Sequence, residues 1–225
     1  MTCTRRDFIS GASAIAVVAS TGLATSITLA TEKEQKKIRY AMVHDETACI
    51  GCTACMDACR TTNKVPEGVS RLEIIRSEPF GEFPNVQYEF FRQSCQHCTH
   101  APCVSVCPTG ASFIDSETGI VDVNADLCVG CQYCIAVCPY RVRFIHPEKK
   151  SADKCNFCRD TNLAEGKQPA CVEVCPTKAL TFGDMNDPNS DIFHKVKQNF
   201  VYRTKISLGT EPNLYHIPFG KGERR

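Results

Sequence analysis

The chain of 225 residues contains no tryptophan, and aromatic residues make up only 8% of it. Neither sign of charge is in excess, since 26 Lys and Arg face 25 Asp and Glu for a net charge of +1. That balance argues against a polybasic face for nucleic acid or anionic lipid. Beyond residue 30 no apolar run reaches the roughly 18 residues that a membrane-spanning helix needs, so the mature chain has no span of its own. There is no G-x-G-x-x-G, no Walker loop and no C-x3-C-x2-C radical triad, which removes dinucleotide, nucleotide and radical chemistry. The six histidines are scattered and form no catalytic pattern.

What the sequence has in abundance is cysteine, 17 in all. Ordinary cytosolic enzymes do not carry that load, so these residues need a covalent or metal partner. An odd count also rules out a complete set of intrachain disulfides. The odd residue is Cys3, which stands just before Thr4-Arg5-Arg6-Asp7-Phe8-Ile9 and an uncharged run from Gly11 to Ala30. About 20 apolar residues could anchor a protein in a bilayer. Here the run is only mildly hydrophobic, and paired arginines followed by Phe point instead to a twin-arginine export signal over residues 1–30. Thr28-Leu29-Ala30 offers a small-x-small cleavage site, with a retained, uncleaved signal as the alternative. Thr31 to Lys37 then reads as a solvated linker. Twin-arginine export carries folded proteins, which suits cofactors inserted in the cytoplasm and places the mature chain in the periplasm.

The other sixteen cysteines sort into four quartets. These are Cys49-x2-Cys52-x2-Cys55-x3-Cys59, Cys95-x2-Cys98-x4-Cys103-x3-Cys107-Pro108, Cys128-x2-Cys131-x2-Cys134-x3-Cys138-Pro139 and Cys155-x2-Cys158-x12-Cys171-x3-Cys175-Pro176. The third matches the bacterial ferredoxin run in full. A cubane cluster needs thiolates converging on three iron corners from one tight loop, and two intervening residues let the chain curl around it. Gly51 and Gly130 permit close backbone approach. The fourth cysteine, three residues on, faces away and reaches a neighbouring cluster. The first quartet departs from the pattern by carrying Arg60 where the others have proline. Zinc ribbons use paired C-x-x-C units but need neither the third cysteine nor C-x3-C-P. Consecutive C-x-x-C-x-x-C runs and a folded-export signal likewise argue against a disulfide scaffold. Four [4Fe-4S] clusters are the expectation.

Quartets two and three lie as close as in a free-standing two-cluster ferredoxin and should exchange fourth ligands. One cluster then takes Cys95, Cys98, Cys103 and Cys138, and another Cys128, Cys131, Cys134 and Cys107. By elimination the first and fourth quartets pair across the chain, giving Cys49, Cys52, Cys55 and Cys175, with Cys155, Cys158, Cys171 and Cys59.

Between the quartets, Ile38 to Val43 reads as a strand. Leu72 to Ile75 and Val86 to Phe91 read as a hairpin. Thr109-Gly110-Ala111 and Thr177-Lys178-Ala179 are matching turns, each followed by a short strand, Ser112 to Ile114 and Leu180 to Phe182. Asp187 to Asp191 could cap a helix running to about Lys197. The repetition predicts an α+β fold of two interleaved bacterial ferredoxin-like units, each binding two clusters, with an inserted hairpin and a C-terminal extension. The first unit comprises residues 31–94 plus 139–182, the second 95–138, and the extension 183–225. Core supply is thin for such a chain, so clusters replace much of it and the apo-protein does not fold stably.

Four cysteines already stand beside His97 and His100, which makes them surface or supporting residues rather than ligands. Arg141, Arg143 and Lys154 lie near cluster loops, where as cations they either compensate cluster charge and raise cluster potentials, dock a partner, or are simply solvated. Tyr133 and Tyr140 are expected to shield clusters from water. No substrate site is legible, and clusters without a catalytic constellation mean electron transfer.

The segments VHDETACIGCTACMDACR, VPEGVSRLEIIRSEPFGEFP, SCQHCTHAPCVSVCPTGASF, DLCVGCQYCIAVCPYRVRFIHP and ACVEVCPTKALTFG carry a resemblance over roughly residues 38–219. With x4 in the second quartet and x12 in the fourth, the chain resembles the iron–sulfur subunits of dimethyl sulfoxide, polysulfide and tetrathionate reductases. It is most similar to those of formate-dependent, cytochrome c nitrite reduction systems. The resemblance implies the same ligand pairing and a periplasmic subunit that is not itself an enzyme. Its partners would be an integral-membrane quinol-oxidising subunit and a multihaem c-type cytochrome nitrite reductase, in anaerobic respiration. The runner-up partner is a molybdopterin oxidoreductase.

Overall fold

A computed structural model describes residues 37–220. The export signal, Cys3, most of the linker and the last five residues lie outside the described residues. In chain order the elements are β1 (Tyr40–Asp45), α1 (Ala54–Asn63), β2 (Leu72–Arg76), β3 (Phe90–Ser94), α2 (Pro102–Ser105), β4 (Ser112–Ile114) and β5 (Val121–Val123). They continue with α3 (Tyr133–Ala136), β6 (Phe144–Ile145), β7 (Ala152–Asp153), α4 (Ala170–Glu173), β8 (Leu180–Asp184), α5 (Asp191–Gln198) and β9 (Leu214–Ile217). Helices and strands are mixed, as the α+β reading expects, and nearly all are short. Cysteine loops and left-handed turns interrupt the chain before an element can lengthen.

The largest sheet has the order β8-β1-β9. Strand β1 lies in its centre, antiparallel to β8 from Tyr40 opposite Asp184, and parallel to β9 from Met42 opposite Leu214. Both faces of β1 are covered, so Ala41, Met42 and Val43 form a continuous buried run instead of an alternating one. Met42 packs on Phe157, Phe182 and Leu214, while Ala41 and Val43 meet Ile192 of α5 and Ile217. Helix α5 runs from Asp191 to Gln198, and its cap falls inside the Asp187 to Asp191 stretch that the sequence marks out. Ser190 is the N-cap and its hydroxyl accepts the Phe193 N–H at 3.3 Å. Asp191 in the first turn and Lys195 and Lys197 in the last complement the helix dipole.

The C-terminal segment is not an appendage, because β9 completes the sheet of β1. The hairpin also differs from expectation. Its second strand is Phe90–Ser94, with Leu72 opposite Ser94, and not Val86 to Phe91. Val86 and Tyr88 are exposed, Tyr88 with the Arg76 guanidinium over its ring, whereas Arg92 and Ser94 are fully buried. Register here follows what lies beneath the strand rather than the apolar lettering. The remaining pairs, β4–β5 and β6–β7, are two-stranded.

Helix α1 packs on α4, and α2 on α3. Two buried cores result. Both are rich in sulfur: Cys55, Cys59, Cys95, Cys155 and Cys171 sit with Met42, Leu72 and Phe157 in one, Cys98, Cys103 and Cys134 with Val121 and Tyr140 in the other.

Candidate iron–sulfur centres

All sixteen cysteines of the four quartets lie among the described residues, and all are free thiols. The first C-x-x-C pair of each quartet turns through a left-handed residue just before its second cysteine: Gly51 (φ 68°), His97 (φ 45°), Gly130 (φ 67°) and Phe157 (φ 56°). That turn folds both thiols toward one point. Glycine adopts it without strain. At Gly51 a Cβ would also stand 2.2 Å from the Phe90 ring. His97 and Phe157 adopt it at a cost of about 1–2 kcal/mol each. Their rings stack on one another at 3.7 Å, joining the second loop to the fourth. Phe157 further contacts Phe182 edge-on. The paired turns expected after Pro108 and Pro176 have the same left-handed form, at Gly110 and Lys178.

The thiols gather in four sets that mix the linear quartets. Cys49, Cys52, Cys55 and Cys175 line one open cavity of about 360 Å³. Cys107, Cys128, Cys131 and Cys134 line a second of about 350 Å³, and Cys95, Cys98, Cys103 and Cys138 a third of about 330 Å³. Cys59 faces Cys155, Cys171 and Cys158. Burial and then the charge of those three sulfurs push its pKa up. The Asn63 amide spans this set, 3.8 Å from the Cys59 sulfur and 3.4 Å from that of Cys158. The fourth cysteine of each linear quartet thus leaves its own loop for that of another.

Burial raises seven of these thiols, among them Cys95 and Cys171 to about 12 and Cys98 to about 11. Cys107 goes the other way. Burial acts to raise it, but hydrogen bonds from the Ser112 N–H at 3.3 Å and the Thr109 hydroxyl at 3.7 Å together outweigh burial and hold it down. The Ala152 N–H donates similarly to Cys128 at 3.4 Å. Solvent exposure is graded across the sets. All of Cys59, Cys155, Cys158 and Cys171 are buried, whereas Cys52 and Cys131 are exposed in theirs.

Arg143 and Lys154 are buried, which removes the reading of solvated charge for both. Arg143 borders two cysteine cavities. Its Nη2 donates to the Ser112 hydroxyl at 2.8 Å, and its Nη1 has no hydrogen-bond partner. The Lys154 ammonium donates to the carbonyls of Val121 and Cys155 and stands 3.6 Å from Asp122. Arg141 remains at the surface. Tyr140 is buried with its hydroxyl 2.6 Å from that of Thr210. Tyr133, beside Cys134, is 61% exposed. His97 is fully buried, its Nδ1 accepting the Val121 N–H at 3.2 Å, and burial drives its pKa well below the ordinary value. His100 is exposed near Glu211.

Two features were invisible in the sequence. The first is Arg92, wholly buried on β3. Its Nε donates to Ser94 at 3.1 Å, while both Nη atoms lack a partner. Burial works to lower its pKa, but Cys171, Cys155, Cys55 and Cys59 raise it on balance. The second is a buried polar group behind the first cysteine loop. Glu46 accepts the Tyr202 hydroxyl at 2.5 Å and the Phe219 N–H at 3.3 Å, with His216 Nδ1 3.3 Å away. His216 is sandwiched between Phe91 and Tyr202, and His44 meets it edge-on.

These features fit an iron–sulfur group well. Converging thiols without disulfides, and guanidinium N–H groups with nothing to donate to, are what cluster thiolates and sulfides would satisfy.

Comparison with known proteins agrees. A family model described as a 4Fe-4S dicluster domain matches residues 86–185. The chain is 73% identical over 223 residues to the protein NrfC homolog of Haemophilus influenzae, covering 99% of this chain and 98% of that one. It is 66% identical over 224 residues to protein NrfC of Escherichia coli K12, covering 99% of each. A polysulfide reductase subunit of Wolinella succinogenes is 53% identical over 186 residues, 82% of this chain and 96% of its own length. The thiol sets, the ferredoxin-like dicluster match and full-length identity converge: the chain belongs to the NrfC family, an iron–sulfur electron-transfer subunit carrying [4Fe-4S] clusters and not itself catalytic.

Proposed function

We propose that the sixteen cysteines hold four [4Fe-4S] clusters and that the protein relays electrons between two respiratory partners. The ligand sets are Cys49, Cys52, Cys55 and Cys175; Cys59, Cys155, Cys158 and Cys171; Cys95, Cys98, Cys103 and Cys138; and Cys107, Cys128, Cys131 and Cys134. Two interleaved ferredoxin-like units carry them, residues 31–94 plus 139–182 and residues 95–138, with 183–225 closing the first. When bound, each cluster supplies one-electron redox chemistry. The chain's own residues hold the sets in sequence: Arg92 reaches both Cys55 and Cys171, the His97–Phe157 stack joins the two interior sets, and Arg143 borders the last two.

The single observation that carries this reading is the gradient of exposure. Buried sets occupy the middle, and the outer sets bring Cys52 and Cys131 to the surface beside exposed Ile50 and Val129. A relay needs two accessible ends and an insulated interior. Residues 1–30 act as a twin-arginine signal in this reading, and the mature chain works in the periplasm. There it takes electrons from an integral-membrane quinol-oxidising subunit and delivers them toward a multihaem c-type cytochrome nitrite reductase. The polysulfide reductase relative favours a second reading, in which the partner is a molybdopterin oxidoreductase.

Iron counting tests the ligand sets. Cys103→Ala and Cys138→Ala should each lower bound iron by about a quarter, and the double variant by no more, because both lose the same cluster. Cys134→Ala combined with Cys138→Ala should lower it by about half. Equal losses in the two double variants would sink the pairing. The partner is tested by mixing dithionite-reduced protein with each candidate anaerobically. Rapid haem reduction in the multihaem cytochrome is expected. Oxidation only by a molybdopterin enzyme would overturn the preferred reading.

A further inference from the structure

A buried arginine normally has a carboxylate partner, since an uncompensated charge in the interior costs several kcal/mol. Among the described residues Arg92 has none, and its Nη atoms make no hydrogen bond. The charges that act on it most are those of sulfur, Cys171, Cys155 and Cys59 from one thiol set and Cys55 from another, and the buried imidazoles of His44 and His97 also feel its charge. Arg143 repeats the arrangement elsewhere in the fold. It borders the cavities of Cys95, Cys98, Cys103 and Cys138 on one side and of Cys107, Cys128, Cys131 and Cys134 on the other, with one Nη free. Lys154 differs, because Asp122 and two carbonyls already answer its charge.

Cluster charge supplies the missing compensation. A [4Fe-4S] cluster with four thiolates is anionic in both redox states and becomes more so on reduction. A fixed cation nearby therefore favours the reduced form and raises the potential, and in a dry interior that influence is weakly screened. From these placements we propose that Arg92 and Arg143 each act on one pair of clusters as a shared potential-setting cation, Arg92 on the pair bound through quartets one and four and Arg143 on the pair bound through quartets two and three. The two are positioning residues, since neither is a ligand. The inference rests on the four-cluster reading above.

The test is a potentiometric titration of the anaerobically purified holoprotein followed by electron paramagnetic resonance, with iron and sulfide measured on every sample. In Arg92→Gln, two of the four one-electron steps should fall, each by at least about tenfold in its reduction equilibrium constant, or about 59 mV. The other two should stay within about twofold. In Arg143→Gln the steps that move should be the two that stayed. Arg92→Lys keeps the charge on a shorter reach, so the same two steps should fall by less than in Arg92→Gln. If Arg92→Gln sheds iron, Arg92→Lys and Arg143→Gln carry the decision. Four unmoved steps, the same two moving in both variants, or all four drifting together would overturn the inference. Fewer than four cubanes in the unmodified protein would instead overturn the cluster reading itself, so the two failures are distinguishable.

Discussion

Stripped of iron under anaerobic, reducing conditions, the protein is expected to lose its far-ultraviolet circular dichroism signal and to show no cooperative melt. Adding ferrous iron and sulfide should restore both. The argument begins with element length. Helices α2, α3 and α4 have four residues each, and β6 and β7 have two. Helix nucleation alone is unfavourable by a factor of about a thousand, so such pieces cannot persist unless tertiary contacts hold them. In this protein many of those contacts are sulfur. Structural metal sites in small domains contribute about 10–16 kcal/mol, as much as the whole stability of an ordinary domain.

The thiol pKa values add a pH dependence. Cys95 and Cys171 are raised to about 12 from an ordinary value of 9.0. A group whose folded pKa lies above its unfolded one contributes stability below the unfolded value and loses it as pH rises through the folded value. Any residual order in the apo-chain should therefore fade between about pH 9 and pH 12. A cooperative apo-melt at neutral pH, insensitive to alkali, would contradict the argument.

Glu46→Ala should open the C-terminal strand while leaving the clusters bound. The carboxylate receives the Tyr202 hydroxyl and the Phe219 N–H and faces His216 Nδ1, all in a buried setting. Removing it strands those groups at about 1–3 kcal/mol each. The loss over the three stranded groups should total about 3–5 kcal/mol. Glu46→Gln, which retains an acceptor, should cost about half as much. Hydrogen exchange on the holoprotein reads this locally. Amides of Leu214–Ile217 should exchange more than a hundredfold faster in Glu46→Ala, given a factor of ten per 1.4 kcal/mol. Unchanged exchange there would mean that Glu46 does not hold β9.

The thiol spacing was legible because cluster geometry is written locally. In the first and third quartets two residues separate each of the three loop cysteines, and the left-handed turn of the first pair shows as Gly51 and Gly130. It did not show at His97 and Phe157, where stacking between distant loops bears the strain that glycine would avoid. Arg92 was opaque for a related reason. It sits on a strand read from its aromatic neighbours, and nothing at its own position announces that thiols from loops far along the chain surround it. Lys154 was placed near a cluster loop by its neighbour Cys155, but only packing distinguishes a buried cation from a solvated one. The sheet partners of β1 were hidden because pairing across that span depends on tertiary closure. Short-range patterns carried Ser112 to Ile114 and most of α5, where capping and periodicity are local.

The position of β1 at the centre of its sheet also governs timing. Its partners are β8, ending at Asp184, and β9, ending at Ile217. A ribosome must therefore emit almost the whole polypeptide before Tyr40 has a single strand neighbour. Until then Ala41, Met42 and Val43 stay unprotected, and Cys49, Cys52 and Cys55 wait for Cys175. Topologies dominated by such distant contacts are slow to form and vulnerable to aggregation meanwhile. Sheet closure and completion of the first thiol set are consequently post-synthetic events, and during that interval the apolar strand and the open thiols are exposed together.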